Sequence, residues 1–375
     1  MTSANAIAWR RARAPPIAPI TASSVKSILI VQTKLIGDLV LASVLTRNLR
    51  LAYPDARITL LSDKHYAPFV LDCGIADEVI GLDRQRLRRS VMSRINELLL
   101  VARQLRRHTF DLGIDLADTR TSRNLLTVAG ASRNVAYTAL RGRQTLIAEP
   151  VADGHSLDRY LAPLQALGIE RRVAEPSLQA PEADAARARA LLEEHDVDPK
   201  AFIAVHAGAR FAGRCWPPDR FAAAIDHAAS HHGLRSVLVG GPGEVALTDA
   251  VAAVARGRVV NLTGHLSLRE TLAVFAEARL FLGNESGPMH LAAAAGTPVV
   301  GLFGLTDPAR WGPLGAPSEV VRAPMPCACH APDICGRPDP RRAYCIQAVE
   351  LPAVTGAIDQ LLEQTGGSDT LGLED

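Results

Sequence analysis

One short polar segment, Asn284-Glu285-Ser286-Gly287-Pro288-Met289-His290, has the residue types of an anion-binding turn. It follows an apolar run and precedes an alanine-rich run, which is the order strand, turn, helix. Ser286 and Gly287 leave backbone N–H groups accessible, and Pro288 suits a first helical turn. A helix N-terminus of this kind attracts phosphate through its free N–H groups and its dipole. The alternative is an ordinary strand-to-helix crossover that binds nothing.

Three further polar residues stand at comparable turns. Asp38 opens a predicted helix and could act as a general base, although an aspartate at that position is ordinarily a cap. Arg214 offers a cation near a strand end, and the alternative is a solvated charge. Glu244 could accept hydrogen bonds from the two hydroxyls of a ribose. In open parallel sheets such loops gather beyond the carboxyl ends of the strands, where ligands bind.

The combination of these loops suits a nucleoside diphosphate. Arg214, the turn at Ser286 and Gly287, and His290 would supply a cation, backbone donors and a switchable donor to one volume. The sequence has neither the phosphate-binding pattern G-x-x-x-x-G-K-[ST] nor a G-x-G-x-x-G after a strand, so kinases and NAD dehydrogenases lack support. If the nucleotide binds in the second half, the first half is left for another ligand. Asp38 would then face the cleft from the first half as a candidate general base.

Six cysteines are present, and four of them lie within nineteen residues: Cys327, Cys329, Cys335 and Cys345. Their clustering in a chain without an export signal favours a metal site over disulfides. Thiolate ligands would select zinc or iron over magnesium or calcium. The spacing is not that of a standard zinc ribbon, so reduced thiols without metal are the alternative.

The composition limits the classes of partner. A net charge of +2 over 375 residues and an aromatic content of 4% argue against a nucleic-acid surface. Apolar runs are strand-sized and shorter than the roughly 20 residues that cross a bilayer, so we predict no transmembrane helix. Residues 1–24 carry arginines and prolines without the apolar stretch of a signal peptide, and they predict a disordered arm. The predicted location is cytoplasmic.

The elements that position these residues alternate between strand and helix. This order predicts an α/β protein with two Rossmann-like, doubly wound parallel sheets facing a cleft. An arginine-rich amphipathic helix is predicted at 91–108. The predicted divisions are an arm at 1–24, an N-terminal domain at 25–178, a C-terminal domain at 185–352 that includes the cysteine cluster at 327–345, and a helix and tail at 353–375.

Four motifs carry a family resemblance in combination. They are ILIVQTKLIGDLVLA, HAGAR followed by RCWPPDRF, LVGGPGE, and GNESGPMHLAAAAGTPVVGLFGLTDP. Together they resemble glycosyltransferase family 9, the ADP-heptose:lipopolysaccharide heptosyltransferases, over about residues 26–362. The resemblance implies a GT-B fold and inverting transfer of heptose from ADP-heptose to an acceptor hydroxyl. It also implies that no cofactor is required for catalysis.

The resemblance assigns roles to individual residues. Asp38 matches the base that deprotonates the acceptor, and Arg214 stands where the family usually has a lysine facing the diphosphate. Glu244 matches the ribose contact, and Leu266 a residue that packs on adenine. The other nucleotide-sugar positions are Gly208, Ala209, Glu285, Ser286, Gly287 and His290.

Two departures from the family pattern leave alternatives open. Glu285 replaces the more usual aspartate that contacts the sugar, so the donor sugar stays open. Gly208 and Ala209 replace hydroxyl side chains, which removes one phosphate contact. The rival functions are a GT-B transferase with a different nucleotide sugar and a non-catalytic scaffold organised by the cysteine cluster.

The resemblance implies an acceptor that is a glycan or a lipid-linked core, placed at the inner face of the membrane in one interpretation. A protein or a small molecule is the alternative acceptor. The arginines between 84 and 107 either face such an anionic acceptor or form a solvated helix surface.

Overall fold

The computed structural model describes residues 24–151, 153–304, 306–324 and 345–366. Most of the predicted N-terminal arm, three of the four clustered cysteines and the end of the tail lie outside these ranges. The strands in the described part are β1 Ser27–Val31, β2 Arg57–Asp63, β3 Glu78–Leu82, β4 Leu112–Asp115, β5 Arg133–Ala136, β6 Thr145–Ile147, β7 Phe202–His206, β8 Arg235–Leu238, β9 Val259–Asn261, β10 Leu280–Asn284, β11 Val299–Phe303 and β12 Ser318–Arg322.

Helices alternate with these strands along the chain. They are α1 Ile36–Ala52, α2 Ala67–Asp72, α3 Arg84–Arg89, α4 Val91–Leu105, α5 Arg120–Ala129, α6 Ser156–Leu167, α7 Glu182–Glu194, α8 Pro218–His232, α9 Val245–Val254, α10 Leu268–Glu277, α11 Gly287–Ala294, α12 Pro308–Trp311 and α13 Leu351–Gly366. Short 3-10 turns occur at Lys64–Tyr66, Ala212–Arg214, Pro242–Glu244 and Cys345–Ala348.

The strands form two parallel sheets with the same topology. The first has the order β3-β2-β1-β4-β5-β6, and the second has β12-β11-β10-β7-β8-β9, which is the same winding read from the other edge. Each order reverses between its first and fourth strands. Crevices at such reversal points, outside the carboxyl ends of the strands, are where doubly wound sheets bind ligands.

Burial of the central strands explains why these segments pair as they do. In β1 the run Ile28 to Val31 is fully buried, and β10 and β11 are buried along their whole lengths. Strands covered by helices on both faces consist of nearly continuous apolar residues. The cores of the two halves meet, because α1 packs directly on α11. The backbone N–H of Leu178 also donates to Ala294 O at 2.8 Å across this boundary.

The predicted pair of doubly wound sheets is confirmed. The short strands β5 and β6 were not predicted, because Arg133, Asn134 and Thr145 interrupt the apolar pattern. The helix predicted at 91–108 ends earlier, as α4, and a separate α3 precedes it. Ser90 lies between them in an extended conformation and its hydroxyl caps α4 by accepting from Ser93 N. The domain boundaries stay predictions.

Candidate functional site

The N-termini of two helices meet between the sheets. A Cβ atom at Gly37, in the first turn of α1, would lie 3.0 Å from His290 Cδ2 and 3.6 Å from the Cα of Gly287. A Cβ atom at Gly287, the first residue of α11, would overlap the side chain of Ile36. Both positions therefore need glycine for close approach rather than for an unusual backbone angle. The loop after β1 thus faces the loop after β10.

Asp38 lies in the first turn of α1, and both of its carboxylate oxygens accept hydrogen bonds. Oδ2 accepts from the backbone N–H of Leu35 at 3.1 Å, which caps the helix. Oδ1 accepts from the hydroxyl of Tyr160, on α6. Burial raises the pKa of Tyr160 well above its usual value, and the charge of Asp38 adds to the shift. Tyr160 is therefore a neutral donor that fixes the direction of the carboxylate.

His290 lies one turn into α11, and its side chain is buried against Gly37. Burial lowers the pKa of His290 to about 4, and the nearby His155 acts in the same direction. His290 is therefore neutral at neutral pH. The sequence located this residue in the correct helical turn, but its burial depends on a residue of the opposite half of the chain.

A chain of polar contacts links Glu244, the predicted ribose contact, to Ser286 in the turn after β10. Glu244 Oε2 accepts from the backbone N–H of Gly241 at 2.7 Å and lies 3.3 Å from His206 Nε2. The other ring nitrogen of His206 lies 3.4 Å from Ser286 Oγ. Burial alone would raise the pKa of Glu244, but the hydrogen bond and charge of His206 outweigh it, so that pKa lies below its usual value. His206 was not predicted as a site residue.

The carboxylate of Glu244 fills the space above Gly208. A Cβ atom at Gly208 would overlap Glu244 Oε1, so the hydroxyl side chain usual in the family does not fit beside this rotamer. Ala209 follows at the mouth of the same loop and is half-buried. The glycine that removes one predicted phosphate contact is thus the residue that lets Glu244 approach the end of β7.

Arg214 and Glu285 form an ion pair beside Ser286, where Glu285 begins the turn after β10. The guanidinium Nη1 of Arg214 lies 3.2 Å from Glu285 Oε2, and the hydroxyl of Thr306 donates to the same oxygen at 3.0 Å. Burial raises the pKa of Glu285, although the charge of Arg214 and the Thr306 hydrogen bond oppose the shift. Arg214 remains one-third exposed. Part of its cationic surface is therefore accessible to an anion.

Asn284 holds the end of β10 to the loop after β7. Its amide nitrogen donates to Ala207 O at 2.7 Å and to Gly208 O at 3.2 Å, and its oxygen accepts from Trp216 N at 3.0 Å. Its side chain is fully buried. The loops after β7 and β10 are thereby held together, and no motif in the sequence indicated this role for Asn284.

Leu266, the predicted adenine contact, is half-buried and packs against the core beside the loop after β9. A cavity of about 530 Å³ opens next to this loop and is lined in part by Leu262 and His265. The apolar side chain of Leu266 is thus placed for packing, and its contact with adenine stays a prediction.

Two cavities flank the loop that carries Asp38. One of about 400 Å³ is lined by Leu35, Asp63, His65, Tyr66, Arg84, Gln85, Arg88 and, from the other half, Arg210. The second, of about 340 Å³, includes Lys34, His155, Arg159, Tyr160, Arg310 and Trp311. Each spans the two halves and contains several cations, which suits acceptors or donors that carry phosphate.

The predicted cysteine site lies almost wholly outside the described residues. Of its four members Cys345 is described, and it is buried in the turn Cys345–Ala348. This turn packs at Gly304, where a Cβ atom would lie 2.9 Å from Ile346 N. Within the described ranges, the grouping that resembles a metal site is His227, His232 and Asp359.

That grouping lies on α8 and α13. Each of its imidazoles donates an Nε2–H to Asp359 Oδ1, at 2.7 and 2.6 Å, so these polar groups satisfy one another without an ion.

The chain was compared with known proteins. A model of the family "Glycosyltransferase family 9 (heptosyltransferase)" matches residues 98–334. The chain belongs to this family. Lipopolysaccharide heptosyltransferase 3 of Escherichia coli is 27% identical over 287 residues, which are 74% of this chain and 83% of that protein.

Two solved structures of similar proteins show the fold. The family 9 glycosyltransferase from Veillonella parvula DSM 2008 superposes with a TM-score of 0.78 at 22% identity, covering 90% of this chain and 98% of that one. The ADP-heptose lipopolysaccharide heptosyltransferase II of Escherichia coli gives 0.71 at 20% identity, covering 91% and 99%. The predicted GT-B fold is confirmed, and this family 9 protein is a glycosyltransferase.

Proposed function

We propose that this glycosyltransferase transfers heptose from ADP-heptose to a hydroxyl of a lipopolysaccharide core, with inversion at the transferred carbon. The observation that carries the proposal is the meeting of two helix N-termini across the cleft. One presents the carboxylate of Asp38, and the other presents the N–H groups at Ser286 and Gly287. A base therefore lies opposite a site for a leaving anion.

In the proposed reaction Asp38 accepts the proton of the acceptor hydroxyl. The resulting oxygen nucleophile attacks the anomeric carbon from the face opposite the diphosphate, and the bond from that carbon to the diphosphate oxygen breaks. The bonding electrons leave with ADP. Attack from the opposite face converts a β-linked donor into an α-linked product.

The leaving diphosphate gains charge as its bond to the sugar breaks. The N-terminus of α11 offers backbone donors and a positive dipole to it, and the exposed part of Arg214 offers a cation. Donors that are fixed before reaction lower the barrier because they need no reorganisation. Neutral His290 contributes an imidazole hydrogen bond at most, and its ligand contact stays a prediction.

On the nucleotide, we assign Glu244 to the ribose hydroxyls and Leu266 to the adenine. Glu244 is held as an anion by His206 and Gly241, which suits a hydrogen-bond acceptor for two vicinal hydroxyls. Gly208 leaves room for this carboxylate at the end of β7, and Ala209 follows in the same loop. Glu285, oriented by Arg214 and Thr306, is assigned to hydroxyls of the sugar.

We place this reaction on a lipid-linked acceptor at the cytoplasmic face of the inner membrane. Within the described residues no helix is long and apolar enough to cross a membrane. Support for an anionic acceptor comes from the cavity that contains Arg84, Arg88 and Arg210.

A donor panel tests the proposal. Titration calorimetry with ADP, UDP and GDP is expected to show tightest binding for ADP. ADP-heptose with a heptose-deficient lipopolysaccharide should then release ADP and give an α-linked product by NMR. Preferential binding of UDP or GDP would select the rival transferase with a different nucleotide sugar. Failure to bind any nucleoside diphosphate would favour the non-catalytic alternative.

A further inference from the structure

The outer face of α4 carries exposed apolar side chains where a surface helix normally carries polar ones. Val91, Met92, Ile95 and Leu99 are 75%, 66%, 45% and 50% exposed, and Leu100 is 44% exposed. The sequence spacing of Val91, Ile95 and Leu99 is four residues, which aligns them on one side of the helix. An exposed apolar surface of this kind is typical of an interaction site.

This apolar face points away from the protein. The side of α4 that packs on the first half carries the buried residues Glu97, Val101 and Leu105. Glu97 is anchored there because its Oε1 accepts from Asp83 N at 2.8 Å. Since Glu97 and Leu99 differ by about 200° around a helix of 3.6 residues per turn, the two faces are opposite. The exposed apolar side chains therefore do not belong to the side of α4 that packs on the core.

Exposed arginines precede and follow the apolar face along the chain. Arg88 and Arg89 lie on α3, and Arg103, Arg106 and Arg107 lie at the end of α4 or just after it. Among the described residues, none of these five side chains has a carboxylate within ion-pair distance. By contrast, Arg86 is paired with Asp83 and Glu97. The outward cations are therefore available to an anionic partner.

We propose that α3 and the outer face of α4 form a membrane-docking surface that binds anionic phospholipid headgroups and buries Ile95 and Leu99 at the bilayer interface. Helices that combine an apolar face with arginines lie in the plane of the interface. Juxtaposed arginines are attracted to the negative surface of anionic membranes. The charge argues against a second copy of the chain as the occupant, because a twofold contact would bring these arginines together.

The surface adjoins the candidate acceptor cavity. Arg84 and Arg88 of α3 line the cavity that also contains Leu35 and Arg210, while the same helix leads directly into α4 through Ser90. A bilayer seated on α4 would bring the headgroup region to the mouth of the cleft. The purpose of this surface rests on the proposed lipid-linked acceptor, but binding of phospholipid can be measured without any transfer reaction.

The test is co-sedimentation of the full chain with vesicles of phosphatidylcholine alone and of phosphatidylcholine with phosphatidylglycerol. We expect binding to the anionic vesicles that weakens as salt is raised. The double variant Ile95→Glu/Leu99→Glu should lower partitioning at least about tenfold. Arg103→Ala/Arg106→Ala should lower it by about fivefold per charge removed. Val254→Glu, which charges an equally exposed valine on α9, is the matched control and should bind as the parent does.

Calorimetric ADP binding distinguishes the outcomes. Loss of vesicle binding with unchanged ADP affinity in the Ile95/Leu99 variant supports the surface and shows that the variant is folded. Equal loss in the Val254 control, or no binding of the parent chain to anionic vesicles, would overturn it. Self-association without vesicles that Ile95→Glu abolishes would instead assign the face to contacts between copies. Failure of ADP binding in the parent would count against the proposed function alone.

Discussion

The two halves of the molecule have the same strand order but different loops at the carboxyl ends of their strands. In the second half, small residues and buried polar links shape the loops after β7 and β10: His206 joins Glu244 to Ser286, and Asn284 clamps the two loops. In the first half, the loop after β1 presents one carboxylate beside wide cationic cavities. A shared topology therefore carries tightly linked loops at the proposed anion site in one half and open cavities in the other.

This difference is consistent with the two proposed roles, nucleotide binding in the second half and acceptor binding in the first. The proposed nucleoside diphosphate is the same molecule in every reaction cycle, so hydrogen-bond donors that are held in place by buried contacts suit it. The proposed acceptor carries phosphates and sugars, and it would need space and several separate cations, which the arginines of α3 offer. Variants in the first half should therefore alter turnover or acceptor use, while variants in the second half should alter nucleotide affinity.

The comparison is tested most strongly at Asp38. Asp38→Asn keeps the size of the side chain and removes the base, so kcat should fall by about 10²–10⁴. ADP affinity should stay within a few-fold, because the proposed diphosphate contacts lie in the other half. Steady-state kinetics and calorimetry on the same preparation measure both. A loss of kcat below about tenfold would remove Asp38 from the role of base.

The next largest effect is expected at Arg214, where ADP affinity rather than kcat should fall. Arg214→Ala should weaken ADP binding by about 1.5–3 kcal/mol, the range for a hydrogen bond to a charged group. The substitution also leaves Glu285 without its cation, so Arg214→Lys is the informative partner variant and should retain part of the affinity. Unchanged ADP affinity in both variants would show that the anion site lies elsewhere.

His290 is buried where the two halves meet, and its effect is expected in the pH dependence of the free energy of unfolding. Its folded pKa of about 4 is depressed below the usual value of 6.5, so the unfolded chain binds the proton more tightly. The contribution of His290 to the free energy of unfolding is therefore full above pH 6.5, and it declines as the pH falls towards 4. The loss at pH 5 should be about 2 kcal/mol. Denaturant unfolding of the parent chain and of His290→Asn at pH 7 and pH 5 should show a smaller pH dependence in the variant.

Local sequence patterns predicted most of the architecture. The apolar runs of β1 and β10, with a helix after each, indicated two parallel sheets, and the polar turn at Ser286 indicated the start of α11. Patterns within a few residues also indicated Asp38 at the start of a helix, and Arg214 and Glu244 in the turns that follow strands. Strands β5 and β6 escaped prediction because short, partly polar strands depend on their neighbours for stability.

Contacts between distant residues could not be predicted in this way. Tyr160 donates to Asp38 across 122 positions of sequence, and His206 reaches Glu244 across 38. His290 was interpreted as a switchable donor, but its neutral state follows from packing against Gly37. Each of these features arises where two segments meet, so a reading of either segment alone carries no sign of it.

The smallest predicted effect concerns Tyr160, whose hydroxyl donates to Asp38. Tyr160→Phe removes one hydrogen bond to the carboxylate and keeps the buried ring, so kcat should fall by about fivefold, equivalent to about 1 kcal/mol. The loss should appear in kcat with KM unchanged, because the hydroxyl orients the carboxylate. A purely structural role would lower the free energy of unfolding without this selective loss of kcat. Tyr137→Phe, which removes a neighbouring hydroxyl that donates to Arg159 O, is the matched control and should leave kcat unchanged.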